Sequence, residues 1–146
     1  MLKLKKFFLL FFLILSVSAC GVKSKNNVAL INGHKIKLRV ADDNKERWQG
    51  LSGVASLSKD EGMLFVFPDY RKRVFVMRNM LIPLDIIFIK DNKIIDIYKN
   101  LPPEGENYKE RYSSSLPVNY VLEINAGESD YFKIKVGDEI KFNLFK

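Results

Sequence analysis

The chain reads as a small, mainly β (α+β) domain, with a compact, mostly antiparallel sheet, closed or barrel-like, and one or two short helices. Three observations support this. The length is 146 residues with 47% hydrophobic and 28% charged, which suits one domain and an ordinary globular composition. The apolar residues fall into seven or more short runs punctuated by Gly, Pro, Asn and Asp, the pattern of short strands. Only two stretches suit helices, both of them short, and there is no internal repeat.

The elements follow in order. Val28 to Ile31 and His34 to Val40 flank Asn32-Gly33, whose preference for positive φ predicts a tight hairpin. Ile36, Leu38 and Val40 alternate with Lys35, Lys37 and Arg39, so the second strand should have one dry face and one wet face. Ala41-Asp-Asp-Asn offers capping side chains for a helix from Lys45 to Leu51, ended by Gly50 or Gly53. Trp48 and Leu51, three apart, should then share its buried face.

Gly62 to Pro68 is an apolar run too short for a helix, so it reads as a buried strand stopped by proline. After a charged turn, Arg73 to Met77 is the next strand. Leu84 to Ile89 and Lys93 to Tyr98 flank Lys90-Asp-Asn-Lys as a further hairpin, and Tyr120 to Asn125 follows. A short helix from Ala126 to Phe132 and an edge strand from Glu139 to Phe145 complete the domain. Between the strands ending at Tyr98 and beginning at Tyr120, Leu101 to Pro117 is a long polar loop with Tyr108 and Tyr112. Loops of that length in compact domains are functional or disordered, and the tyrosines and prolines favour an ordered flap.

The N-terminus has another character. Three lysines and no acid precede an apolar run from Phe7 to Leu15, too short to span a membrane. Ser16-Val-Ser-Ala-Cys20 then completes the plan of a secretory signal peptide. Val17-Ser18-Ala19-Cys20 resembles the lipobox of bacterial lipoproteins, which implies cleavage before Cys20 and lipid on it. The division expected is a signal peptide over 1–19, a lipidated tether over 20–27 and a folded domain over 28–146. The mature chain would carry 21 Lys and Arg against 17 acids, a modest charge near +4. The expected location is exported, periplasmic or surface-facing, held on a bacterial membrane through Cys20.

Several blocks within the domain stand together: Arg47-Trp-Gln-Gly-Leu51, Gly62-Met-Leu-Phe-Val-Phe67, Phe75-Val-Met-Arg-Asn-Met-Leu-Ile-Pro-Leu-Asp-Ile-Ile-Phe88, Val121-Leu-Glu-Ile-Asn-Ala-Gly127 and Lys135-Val-Gly-Asp138. In order and spacing they resemble the DUF192 (UPF0127) family. The resemblance implies a single mixed β-sheet domain, often exported or membrane-linked, and no established activity. The chain departs from the family pattern at Val76, commonly an aromatic, at Met80, commonly Thr, and at Ser52, commonly Met.

Asp85 and Glu123 are carboxylates set among apolar residues, where the charged form needs a partner or the pKa rises. Each is either a structural acceptor or a working group. As a pair they would suit glycoside hydrolysis if their carboxyls lay roughly 5–10 Å apart. Arg78 and Asn79 could hold a carboxylate or a sugar hydroxyl, or simply close a turn. Arg47 could reach the same place or cap carbonyls. The expected binding surface therefore comprises Arg47, Met77, Arg78, Asn79, Asp85, Glu123, Tyr108 and Tyr112.

Other chemistry is poorly supplied. One Cys and one His exclude a disulfide framework and a structural zinc cluster. Any Ser-His-Asp arrangement would rest on His34, expected to be exposed beside the turn. There is no phosphate loop or nucleotide fingerprint, so no cofactor or metal is expected. The basic residues form no stripe, and no nucleic-acid partner is expected. The reading is a lipid-anchored envelope protein that binds an unknown envelope ligand or protein. The alternatives are a carboxylate-dependent hydrolase of envelope saccharides or peptides, and a purely structural domain.

Overall fold

The first hairpin forms as anticipated, from β1 (Val28–Ile31) and β2 (His34–Ala41), with Asn32 and Gly33 at φ 48° and 79°. The computed structural model describes residues 27–145. The signal segment, Cys20 and the tether up to Asn26 lie outside the described residues. β2 buries Ile36 and Leu38 and exposes Lys35 and Lys37, as its alternation requires. His34 is half-buried, against expectation, because its ring packs 4.8 Å from that of Phe132.

α1 (Asn44–Gln49) begins on Asp43, whose side chain accepts the Glu46 N–H, and stops at Gly50 with φ 50°. That early stop corrects the expectation for Trp48. The chain leaves the helix before Leu51, so the two residues never share a face. Leu51 enters the core at 2% exposure, while Trp48 stays 68% exposed.

Then come β3 (Glu61–Arg71), β4 (Val74–Phe75), β5 (Leu84–Lys90) and β6 (Lys93–Leu101). They are followed by β7 (Tyr112–Ser113), β8 (Val118–Asn125), α2 (Glu128–Tyr131) and β9 (Lys141–Asn143). β3 runs on through Pro68 instead of stopping there. Its register against β8 is irregular between Val66 and Arg71, so the missing proline N–H breaks no ladder bond. Only two residues of the strand expected over 73–77 are strand, and β4 pairs with β7 in a small separate ladder.

The main sheet has the order β6-β5-β8-β3-β2-β1-β9. Its pairs are antiparallel except β2 with β3, so the sheet is mixed, a seven-strand half-barrel with two short helices. Its two edges meet. Ile94 N–H donates to Asp138 O, Gly137 N–H to Ile94 O, and Ile140 N–H to Asn92 O, with a bridge between Lys93 and Glu139. Asn32 locks that closure: its amide donates to the carbonyls of Phe132 and Lys133 and to the Asp138 carboxylate.

Strand alternation builds two cores. One face gathers Leu64, Ile87, Ile89, Leu122 and Ile124 against Ile36, Phe132 and Ile140. The other gathers Phe65, Ile86, Phe88 and Val121 beneath Leu51, Leu57, Met77 and Met80 from the connecting segments. Gly62 sits where β3 crowds β8. A Cβ there would lie 2.8 Å from the Glu123 carbonyl oxygen, so the position is closed to any side chain. The second face carries the candidate site.

Candidate functional site: a cationic cavity over a buried carboxyl

A cavity of about 430 Å³ opens on the second face, between α1, β3 and β4. Its depth is set by burial. Phe65 and Glu123 are buried at 2% and 5% exposure, whereas Trp48 and Val74 are more than half exposed at the rim. Leu51, Phe75, Val76 and Met80 supply apolar wall, and Arg47, Lys72, Arg73 and Arg78 supply charge. Four cations thus stand with a single acid. Among the described residues no cluster of His, Cys, Asp and Glu could hold a metal ion.

Glu123 is the least ordinary group in the cavity. It lies inside β8, opposite Ile86 on β5 and Met63 on β3, so its side chain shares the face of the second core. Burial pushes its carboxyl up to about 8, with no charged partner acting on it. The carboxyl itself forms no hydrogen bond among the described residues. At neutral pH it is therefore a protonated acid lining the cavity, able to donate one hydrogen bond and accept another.

The arginines are held in distinct ways. Arg47 is tied down by the carbonyls of Asp42 and Val66 and by the Asn44 side chain. Arg73 lies 3.9 Å over the Phe67 ring, and its Nη2 bonds Asp69. That contact holds the Asp69 carboxyl below its ordinary range. The Arg73 Nε is buried without an acceptor. Its backbone is fixed by reciprocal bonds with Ser114, through Arg73 N–H to Ser114 Oγ and Ser114 N–H to Arg73 O. Arg78 lies 3.9 Å over the Trp48 ring and donates from Nη2 to the Trp48 carbonyl. These cation–π contacts hold both guanidinium groups against aromatic rings.

Of the residues expected at a binding surface, the structure brings Arg47, Arg78 and Glu123 to the cavity. The rest go elsewhere. Asp85 faces Ile124 across the β5–β8 ladder, and Ile86 faces Glu123. Neighbouring positions on a strand point to opposite faces, so Asp85 and Glu123 cannot share a cleft, and the hydrolytic pair is excluded. Asp85 is fully buried beside α2. It accepts the N–H groups of Asn100, Gly127 and Ser129 and the Ser129 hydroxyl. That is a structural role, with donors other than the 79–82 turn.

Met77 is 0% exposed and belongs to the core. Asn79 is a turn residue at φ 52°. Its N–H bonds Gly105 O and its carbonyl accepts from Gly53, and it does not line the cavity. The Tyr-bearing loop is ordered, as Glu104 exchanges backbone bonds with Met77 and Met80. It covers the 77–80 turn and leaves the cavity clear. Tyr112 packs 5.4 Å from Tyr98, and Tyr108 stacks under Arg111.

Trp48, Phe67, Lys72 and Arg73 escaped the sequence reading. Their signal was present in the interleaving of cations and aromatics from Phe67 through Arg78, but nothing local says that α1 folds over that stretch.

The DUF192 family model, described as "Uncharacterized ACR, COG1430", matches residues 27–142. The chain belongs to the DUF192 family. Two solved structures of similar proteins agree with the fold. A candidate transcription regulator from Sinorhizobium meliloti 1021 is 34% identical, with 80% of this chain and 92% of that one covered and a TM-score of 0.74. A protein of unknown function from Novosphingobium aromaticivorans DSM 12444 is 31% identical, with coverage of 80% and 83% and a TM-score of 0.72. No curated protein matches the sequence. Ser52, Val76 and Met80, where the resemblance implies a departure from the family pattern, all line the cavity.

Proposed function

We propose that this DUF192 protein is a lipid-anchored envelope protein that binds a small ligand in the cavity between α1, β3 and β4, without covalent chemistry. The observation that carries the binding reading is the buried, protonated and unpartnered Glu123 beneath a rim of fixed cations. Buried polar groups without partners are rare in folded proteins, and a cavity of this volume with convergent polar groups suits a small-molecule site. The separation of Asp85 from Glu123 by the sheet favours binding over hydrolysis. The lipobox-like Val17 to Cys20 supports the anchor.

A thermal-shift screen of the full chain against envelope sugars, muropeptides and lipid headgroups tests the binding reading. A ligand at about 100 times its Kd should add roughly 2.7 kcal/mol of stability. Arg78→Ala should remove that shift and Asn79→Ala should keep it. A shift that survives Arg78→Ala would move the site away from the cavity. For the anchor, Cys20→Ala should release the protein from the membrane fraction, and retention there would overturn it.

A further inference from the structure

We infer that the cavity takes an organic anion with an apolar body, its charged end against Arg73 and Arg78 and an uncharged polar group at its far end against the Glu123 carboxyl. This rests on the reading of the cavity as a binding site and names the class of ligand.

Charge sets the first requirement. Arg47, Lys72, Arg73 and Arg78 face the cavity from α1, from the β3–β4 turn and from the turn after β4. Asp69 pairs with Arg73 from outside the lining, and the one acid that lines the cavity is Glu123. A cationic ligand would meet repulsion from several sides, while an anion would be drawn in and held.

The state of the arginines says where the anion goes. Arg47 is occupied by two carbonyls and an amide oxygen, and its role is to hold α1 against β3. Arg78 meets one acceptor, the Trp48 carbonyl, while Arg73 is paired with Asp69 through Nη2 and keeps a buried Nε without an acceptor. Both guanidinium groups sit over aromatic rings at 3.9 Å, so the N–H groups they leave unbonded are held in place. A planar carboxylate matches such groups with paired hydrogen bonds. Donors held in place beforehand offset the lost hydration of an anion there with little further cost of ordering.

The depth of the cavity sets the second requirement. No cation stands beside Glu123, and burial keeps its carboxyl protonated at neutral pH. It therefore offers an O–H and a carbonyl oxygen to a neutral hydroxyl or amide. Between that group and the arginines the wall is apolar, with Phe65, Phe75 and Met80. A ligand polar at both ends and apolar between them satisfies every part of this surface. A free phosphate or a simple sugar leaves the middle dry and unmatched.

The chain's single tryptophan, Trp48, stands at the rim and reports on occupancy. Three naphthalene probes titrated at pH 6.5 into the full chain, with Trp48 fluorescence followed, test the inference. 6-Hydroxy-2-naphthoate should quench saturably. 2,6-Dihydroxynaphthalene, which lacks the charge, should bind at least tenfold more weakly, and Arg73→Leu should abolish that difference. 2-Naphthoate, which lacks the far hydroxyl, should bind roughly tenfold more weakly than the hydroxylated acid. That preference should vanish in Glu123→Leu and return in Glu123→Gln, whose amide still hydrogen-bonds. Equal binding of the neutral and anionic probes would overturn the anion class while leaving a binding cavity. Hydroxyl preference that persists in Glu123→Leu would overturn the role of Glu123. Quenching by none of the probes would overturn the inference and count against the cavity as a site at all.

Discussion

Asp85→Ala is expected to cost the fold roughly 3–5 kcal/mol, because it strips several donors of their buried acceptor at about 1–3 kcal/mol for each one left unsatisfied. The Asp85 carboxylate is the common acceptor for the N–H groups of Asn100, Gly127 and Ser129 and for the Ser129 hydroxyl. Asp85 and Ser129 are both fully buried, so water cannot replace the lost acceptor. These donors come from the end of β6 and from the turn into α2, which leads to Phe132 and to the segment that closes the half-barrel. Loss of the carboxylate therefore loosens the closure as well as one turn. Against a typical domain stability of about 5–15 kcal/mol this is a large fraction. Chemical denaturation measures it, and a loss below about 1 kcal/mol would show that the network is dispensable. Ser129→Ala should cost less, roughly 1 kcal/mol, and the two losses should not add, because they share one bond.

Glu123→Gln is expected to change how stability depends on pH. Burial raises the Glu123 carboxyl from its ordinary 4.5 to about 8 in the folded protein. Between those values the folded chain holds a proton that the unfolded chain has released, so the native state is penalised as pH rises. The stability associated with the protonated acid is complete below about 4.5, declines through the interval and is gone above about 8. The slope is about 1.4 kcal/mol per pH unit at most, and the accumulated difference is roughly 3–5 kcal/mol. The glutamine variant cannot ionise and lacks this component. The difference between the two proteins should grow with pH from 5 to 8 and then level, while contributions from Glu61, Asp69 and Glu128 cancel. Parallel stability curves would mean that the carboxyl is not desolvated. A bound anion that hydrogen-bonds the protonated acid should shift the wild-type decline to higher pH.

Much of the fold was written in local pattern. Asn32-Gly33 announces its hairpin, and the alternation of Ile36 and Leu38 with lysines announces which face of β2 is dry. The short apolar runs over 62–68, 84–89 and 120–125 announce the central strands. These features are legible because each depends on residues within a turn or a strand of one another. Local signals fail where a distant element decides. Proline ordinarily stops a strand, yet the β3–β8 ladder is interrupted at Pro68 and tolerates it. The spacing of Trp48 and Leu51 suits a shared buried face, yet α1 ends at Gly50 and leaves Trp48 at the rim.

The candidate site divides in the same way. Asp85 and Glu123 were visible as carboxylates in apolar surroundings, which is a property of their neighbours in sequence. Their separation was not visible, because it depends on which residue of β8 stands opposite which residue of β5, and a shift of one reverses every face. Arg78 could be singled out from its block, but Arg73, Phe67 and Trp48 could not, since only the folding of α1 over β3 brings them together. The sequence by itself determined the mainly β class, the strand segments, the family and the presence of two unusual acids. Tertiary structure alone decided the parallel β2–β3 pair, the meeting of the sheet edges, and the placement of one acid in a hydrogen-bonded core and the other beneath a cationic cavity. The physical reason is that period and turn chemistry act over a few residues, whereas strand register and the covering of a sheet face are set by contacts between segments tens of residues apart.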